Sequence, residues 1–121
     1  MSRINANELR TEMQQCRGTA SYHKLSLTPL LATDGVRMVA EKAEAFWLID
    51  AIGSYQGNPE VRALAIQFWT LEAKGSKAVL YCVEDSGMPR IVEQEIKYTD
   101  FPEGTWKFYV QEGVIMLPDE Y

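Results

Sequence analysis

The sequence has little of what catalytic, membrane and nucleic-acid-binding proteins usually need. Its 121 residues include one histidine and two cysteines, and its glycines stand singly, without the glycine-rich loop that cradles a phosphate. No apolar run reaches the roughly 18–20 residues of a membrane span, and the N-terminus lacks the apolar centre of a secretion signal. These absences disfavour nucleotide-dependent chemistry, a bound metal or other cofactor and a membrane location, and they predict a cytoplasmic protein.

The two cysteines do not form a metal-binding motif. Cys16 and Cys82 are far apart along the chain and fit free thiols in a reducing compartment. Aliphatic and aromatic neighbours surround Cys82 in the sequence, which predicts a small core residue rather than a nucleophile.

Basic residues are outnumbered, and the net charge is −5. Residues 1–63 hold seven acidic and seven basic side chains, whereas residues 64–121 hold ten acidic and five basic. Because nucleic-acid backbones are bound by clustered Lys and Arg, this balance argues against direct nucleic-acid binding. It permits a basic protein partner, including one that itself reads nucleic acid, although −5 is also an ordinary charge for a soluble domain.

The sequence does contain enough hydrophobic residues, 46% of the total, to form one hydrophobic core. We expect a single α+β domain over residues 1–121, with a long central helix packed on an antiparallel meander sheet of three or four strands. The central helix is predicted over residues 33–56, with Thr33 or Asp34 as its cap. An N-terminal surface helix is predicted over residues 6–17, because its apolar stripe is narrow.

Residues 64–121 read mainly as strands. The segments 65–73 and 77–84 flank Gly75-Ser76, a two-residue loop whose leading glycine suits a type II′ hairpin turn. The register of that hairpin places large side chains on both faces, with Trp69, Leu71, Leu80 and Cys82 on one and Phe68, Thr70, Tyr81 and Val83 on the other.

Three further segments complete the predicted second half. Residues 90–98 are expected to form a third strand with Tyr98 on its buried face. Residues 102–111 fit either a short helix or a strand, and the helix is favoured because Pro102 suits a first helical position. Residues 114–117 are predicted to be a last strand.

Two residues are weak catalytic candidates. Asp50 lies in the apolar part of the central helix, where a buried carboxylate has a raised pKa and could act as a general base unless it is hydrogen-bonded. His23 could assist it in a pocket between helix and sheet that also holds Tyr55. No nucleophile motif accompanies either residue, so a structural role is favoured for both.

The acidic residues of the second half are the predicted binding residues. They would form an acidic surface for a partner, and they are Glu84, Asp85, Glu93, Glu95, Asp100, Asp119 and Glu120.

Six stretches of the sequence carry a family resemblance, namely residues 33–36, 40–43, 46–56, 67–69, 98–102 and 113–121. They are similar to a family of small bacterial proteins known as a domain of unknown function. The resemblance covers about residues 22–121, with residues 1–20 as a variable helical addition. Where relatives have Asn-Gly, this chain has Glu112-Gly113, a weaker turn signal. The resemblance implies no activity, but its members occur in bacteria, including cyanobacteria, and are carried on phages and plasmids.

Three functions remain open from the sequence. A non-catalytic protein-binding module is favoured; its concrete version is a phage or plasmid inhibitor of a host defence complex, of the anti-CRISPR or anti-restriction kind, acting through the acidic surface. The second is a small enzyme or ligand-binding domain that uses Asp50 and His23. The third is a structural homo-oligomer that associates through the sheet face bearing Phe68 and Tyr81.

Overall fold

The computed structural model describes residues 5–14, 22–23, 30–85, 87–99 and 101–118. Helices and strands of these residues share one hydrophobic core and form an α+β fold, as the sequence predicted. The helices are α1 (Ala6–Gln14), α2 (Asp34–Lys42), α3 (Phe46–Ser54) and α4 (Pro59–Arg62), with a 3-10 turn over Tyr55–Gly57 before α4. The strands are β1 (Tyr22–His23), β2 (Leu31–Thr33), β3 (Ile66–Lys74), β4 (Lys77–Val83), β5 (Arg90–Ile96), β6 (Gly104–Gln111) and β7 (Val114–Met116).

The sheet is larger than predicted and mixed. Seven strands are described, in the order β1-β2-β7-β6-β3-β4-β5. All neighbours are antiparallel except β2 and β7, which run parallel with Leu31 opposite Val114 and Ala32 opposite Ile115. The sequence indicated a three- or four-stranded meander because β2 has only three residues and reads as part of a connector.

The expected short helix over residues 102–111 is wrong, since most of this segment is β6. Trp106, Phe108 and Val110 are buried on one face while the residues between them are more exposed, which is the period of a strand. Eight residue pairs join β6 to β3, so the segment is held at the middle of the sheet. Pro102 lies before the strand, and its carbonyl oxygen accepts a hydrogen bond from Trp106 Nε1 at 2.9 Å.

The single central helix over residues 33–56 is two helices, α2 and α3. Ala45 N donates to Ala40 O at 2.9 Å and Glu44 N donates to Glu41 O at 3.4 Å, the paired hydrogen bonds of a Schellman helix end. Glu44 adopts a left-handed φ of 53° at the position where such ends usually have glycine. The start of α2 is as predicted, because Thr33 Oγ1 accepts a hydrogen bond from Val36 N.

The predicted β3–β4 hairpin is confirmed in its register. Trp69 pairs with Cys82, and Phe68 pairs with Val83. Gly75 has a φ of 64° and Ser76 is not among the residues of positive φ, as a type II′ turn requires.

Two smaller expectations differ from the structure. Tyr98 lies beyond the end of β5 with 73% of its surface exposed, so its predicted place on the buried face is wrong. The helix predicted over residues 6–17 is described as far as Gln14, and Leu9 on its apolar stripe is fully buried. Leu9 therefore joins α1 to the core more firmly than a narrow stripe suggested.

Candidate binding surfaces

The sheet has an inner face, which packs against the helices, and an outer face. Along β3, Trp69, Leu71 and Ala73 are buried and belong to the helix-packed core. On the other face of the strand Phe68 and Glu72 are partly exposed, while Thr70 between them is buried. Because neighbouring strands are in register, each residue opposite Phe68 or Glu72 also points to the outer face. The pairing of the strands therefore maps the outer face residue by residue.

An apolar band crosses the outer face from β2 to β4. The register places its members on neighbouring strands, and all are partly or substantially exposed. Phe68 and Tyr109 meet edge to face at its centre, with ring centroids 4.9 Å apart. The band consists of Leu31, Val114, Met116, Tyr109, Phe68 and Val83.

Phe68 separates two cavities on this face. One, of about 160 Å³, also has Val83, Tyr109 and Lys107 in its lining. The other, of about 450 Å³, lies towards the start of β3 and includes Ile66. Asp85 lines both cavities, so an acidic side chain stands directly beside the apolar band.

Arg90 neutralises part of the predicted acidic surface. Its guanidinium contacts Glu93 at 2.5 Å and Glu72 at 3.6 Å, and it lies 3.8 Å from the centre of the Tyr81 ring. Hydrogen bonding to Glu93 raises the pKa of Arg90, whose guanidinium is positively charged in any case. Glu93 is therefore occupied by an intramolecular partner.

The other predicted binding residues are only partly brought together. Glu84 follows β4 at the end of the apolar band, and Glu95 lies on the edge strand β5 opposite Val79. Both carboxylates are exposed. Asp100, Asp119 and Glu120 fall outside the described residues.

Of the two weak catalytic candidates, only Asp50 has a described side chain, and it does not lie in a buried site. Asp50 is exposed on α3, which corrects the expectation that it is a buried carboxylate in the apolar part of the central helix. The α3 residues that enter the core are Leu48, Ile49, Ile52 and Gly53. The backbone of His23 pairs with Ala32 in the β1–β2 ladder, and its side chain is outside the described part.

A cleft of about 650 Å³ lies on the helix side, at the end of the sheet where β6 turns into β7. Sequence reasoning missed it, because its lining comes from distant segments of the chain. The lining has an apolar part, three glycines and four polar side chains. The polar side chains are Gln56, Gln67, Arg62 and Glu112.

Two glutamines form the polar floor of the cleft. Gln67 is 5% exposed, and it exchanges hydrogen bonds of 2.8 and 2.9 Å with Gln56. Trp69 Nε1 donates to Gln67 Oε1 at 2.9 Å, and Gln56 Nε2 donates to Ile52 O at 3.1 Å. Because an indole N–H only donates and a backbone carbonyl only accepts, these two contacts fix the orientation of both amides.

Cys82 is confirmed as a core residue. It is fully buried, and burial raises the pKa of its thiol to about 12. A thiol with that pKa stays protonated and is a poor nucleophile.

Within the described residues there is no cluster of three or more His, Cys, Asp or Glu side chains that could hold a metal ion. Nor does the described part contain a helix long and apolar enough to cross a membrane.

Comparison with known proteins gives a family and no activity. The model of a family of unknown function, DUF6876, matches residues 7–121, so the chain belongs to that family. The match begins inside α1, and it therefore includes most of the helix that the sequence reading had set apart as an addition. No curated protein and no solved structure gives a significant match.

Proposed function

We propose that this member of DUF6876 is a cytoplasmic, non-catalytic module that binds another protein through the outer face of its sheet. The observation that carries the proposal is the apolar band, which crosses five neighbouring strands with its side chains partly or substantially exposed. Contiguous exposed apolar patches on small proteins mark interaction sites. Aromatic side chains such as Phe68 and Tyr109 are the typical anchors of such interfaces.

Charge favours a partner with a basic surface. The band ends beside Glu84 and Asp85, and Glu95 stands on the adjoining edge strand. Acidic groups at the margin of an apolar patch select a positively charged partner and speed its association. Self-association through this face is less favoured, because two copies with a net charge of −5 repel each other.

The test is an affinity pull-down of the tagged protein from bacterial host lysate, with and without nuclease, read by mass spectrometry. The Glu84→Lys/Asp85→Lys variant reverses the acidic margin at the end of the apolar band. The matched control, Lys74→Glu/Lys77→Glu, changes two exposed charges at the far end of the β3–β4 hairpin. All variants are first checked for native circular dichroism.

We expect one stoichiometric protein that survives nuclease treatment, is lost with the acidic-margin variant and is kept by the lysine control. A partner that both variants keep would refute the acidic contact. A folded protein that captures nothing and whose mass rises with concentration in light scattering would replace this proposal with a homo-oligomer.

A finer version follows from the phage and plasmid association of the resembling proteins. The partner would then be a host defence complex of the CRISPR or restriction kind, whose basic nucleic-acid-reading surface the acidic margin occupies. Purified defence complexes should lose their nucleic-acid band shift as this protein is added, and the acidic-margin variant should not compete. If saturating protein leaves the band shift unchanged for every complex tested, the inhibitor version is rejected while the pull-down still decides on protein binding.

A further inference from the structure

The cleft at the β6–β7 end is a candidate ligand-binding site, and it lies on the opposite face of the sheet from the apolar band. Five segments converge on it: Leu30 before β2, the end of α3 with the 3-10 turn, the end of α4, the start of β3, and the end of β6 with the β6–β7 turn. Its volume of about 650 Å³ lies within the range of roughly 300–1,000 Å³ that is usual for small-molecule sites. The cleft shares Leu64 and Ala65 with the larger cavity beside Phe68, but none of its lining residues belongs to the apolar band.

Its floor keeps one donor and one acceptor available. An amide group has two N–H donors and an oxygen with two lone pairs. Gln67 uses both lone pairs and one N–H, and Gln56 uses both N–H groups and one lone pair. One N–H of Gln67 and one lone pair of Gln56 therefore remain side by side, in an arrangement that the Trp69 contact holds rigid.

Two opposite charges line the same cleft. Arg62 ends α4, and Glu112 belongs to the β6–β7 turn. Both are exposed, and within the described residues neither has an ion-pair partner. They are therefore available to a ligand that carries one negative and one positive group.

The backbone at Glu112 supports a role for its carboxylate. Glu112 has a φ of 52° and Gly113 a φ of 78°, which is the pattern of a type I′ turn. Asn or Gly would fit the first position with less strain than Glu does. A strained residue at the lining of a cleft points to a function for its side chain.

We propose that the cleft binds a zwitterionic ligand of the amino-acid type, either a free amino acid or a short peptide, with an apolar side chain. Arg62 receives the carboxylate, and Glu112 receives the ammonium group. Gln67 donates a hydrogen bond to the ligand and Gln56 accepts one from it, while Leu30 and Val110 contact its side chain.

The experiment is calorimetric titration of the full chain with L-leucine and with the dipeptide Leu-Leu. Two analogues each lack one charge: 4-methylpentanoate has only the carboxylate, and 3-methylbutylamine has only the amine. At least one zwitterion should bind, and both analogues should bind about tenfold more weakly or worse, because each loses a charge-assisted contact. Stronger binding of Leu-Leu than of leucine would identify a short peptide as the ligand, and the reverse order would identify the free amino acid.

Three variants give the matched comparison. Arg62→Gln and Glu112→Asn should each weaken zwitterion binding about tenfold or more. Glu60→Gln removes an exposed carboxylate of α4 that does not line the cleft, and should leave binding unchanged. Glu112→Asn is informative because the better turn residue should stabilise the fold while it abolishes the contact, so loss of binding has no unfolding explanation.

A backbone amide NMR spectrum locates the binding. The resonances of Gly53, Gly57 and Gly113, which line the cleft, should move on titration, while that of Gly75 at the distant hairpin should not. The proposal is overturned if no zwitterion moves the three cleft resonances at millimolar concentration. It is equally overturned if 4-methylpentanoate binds as tightly as leucine and Glu112→Asn has no effect on either.

Discussion

The left-handed conformation of Glu44, between α2 and α3, predicts that glycine at this position stabilises the protein. An uninterrupted helix would predict that glycine destabilises it. A non-glycine residue in this conformation costs about 1–2 kcal/mol, and glycine adopts it without strain. Glycine also has more freedom in the unfolded chain, worth about 0.5–1 kcal/mol. Glu44→Gly should therefore raise the free energy of unfolding by about 0.5–1 kcal/mol.

The measurement compares glycine with alanine at two positions by urea unfolding. At position 44, the glycine variant should be more stable than the alanine variant by about 1 kcal/mol, which is roughly 3–5 °C in Tm for a chain of this size. At position 41, inside α2, the order should invert, with alanine more stable by about 1 kcal/mol. Both variants at position 41 lose the 2.8 Å contact of Glu41 with Arg37, so that exposed pair cancels from the comparison.

The two positions together decide between the observed break and the helix that the sequence favours. In one continuous helix over residues 33–56, alanine would be preferred at both. An alanine preference at position 44 would therefore refute the Schellman end and restore the single long helix.

Three further outcomes follow from the described contacts. Glu112→Asn should raise the free energy of unfolding by about 1 kcal/mol in urea, because the residue is left-handed; an unchanged midpoint would contradict the type I′ turn. Trp69→Phe removes the donor to Gln67 Oε1 and should destabilise by about 1–2 kcal/mol, and a stability equal to wild type would show that the buried amide does not need it. Burial raises the pKa of Cys82 from 9.0 to about 12, so between these values the unfolded thiol has lost its proton and the folded one has kept it. Stability should fall as pH rises above about 9, by up to about 1.4 kcal/mol per pH unit, and this fall should be smaller in Cys82→Ala; equal slopes would mean that the native thiol ionises normally.

Local sequence patterns predicted much of the structure of the second half of the chain. The Gly75-Ser76 turn and the alternation around it determine the β3–β4 register, because a two-residue hairpin loop leaves only one pairing. Residues 102–111 were ambiguous, since Trp106 and Val110 lie on one face at either helical or strand spacing. Only the eight pairs with β3 decide for the strand, and a non-local pairing of that kind has no signal within the segment itself.

The helix break and the cleft were harder to foresee for different reasons. Ala43 and Glu44 are good helix formers, so the sequence around the Schellman end contains no glycine or proline to announce it. The cleft depends on Gln56 and Gln67 meeting across the helix–sheet interface, and two glutamines eleven positions apart have no distinctive spacing. Among the polar residues of the cleft, only Glu112 had a signal in the local sequence, because it occupies a position where a turn residue was expected.

The parallel pairing of β2 with β7 is a weak seam in the sheet. Two residue pairs hold that seam, against eight between β3 and β6, and its partners Leu31 and Val114 are eighty-three positions apart along the chain. A short ladder that closes so long a loop forms late and opens early. In hydrogen exchange the amide of Leu31, which donates to Gly113 O at 2.9 Å, should therefore exchange well before the amides at the centre of β3. Since Gly113 also lines the cleft, opening of the seam would change the shape of the cleft. A ligand bound in the cleft would therefore stabilise the pairing of β2 with β7.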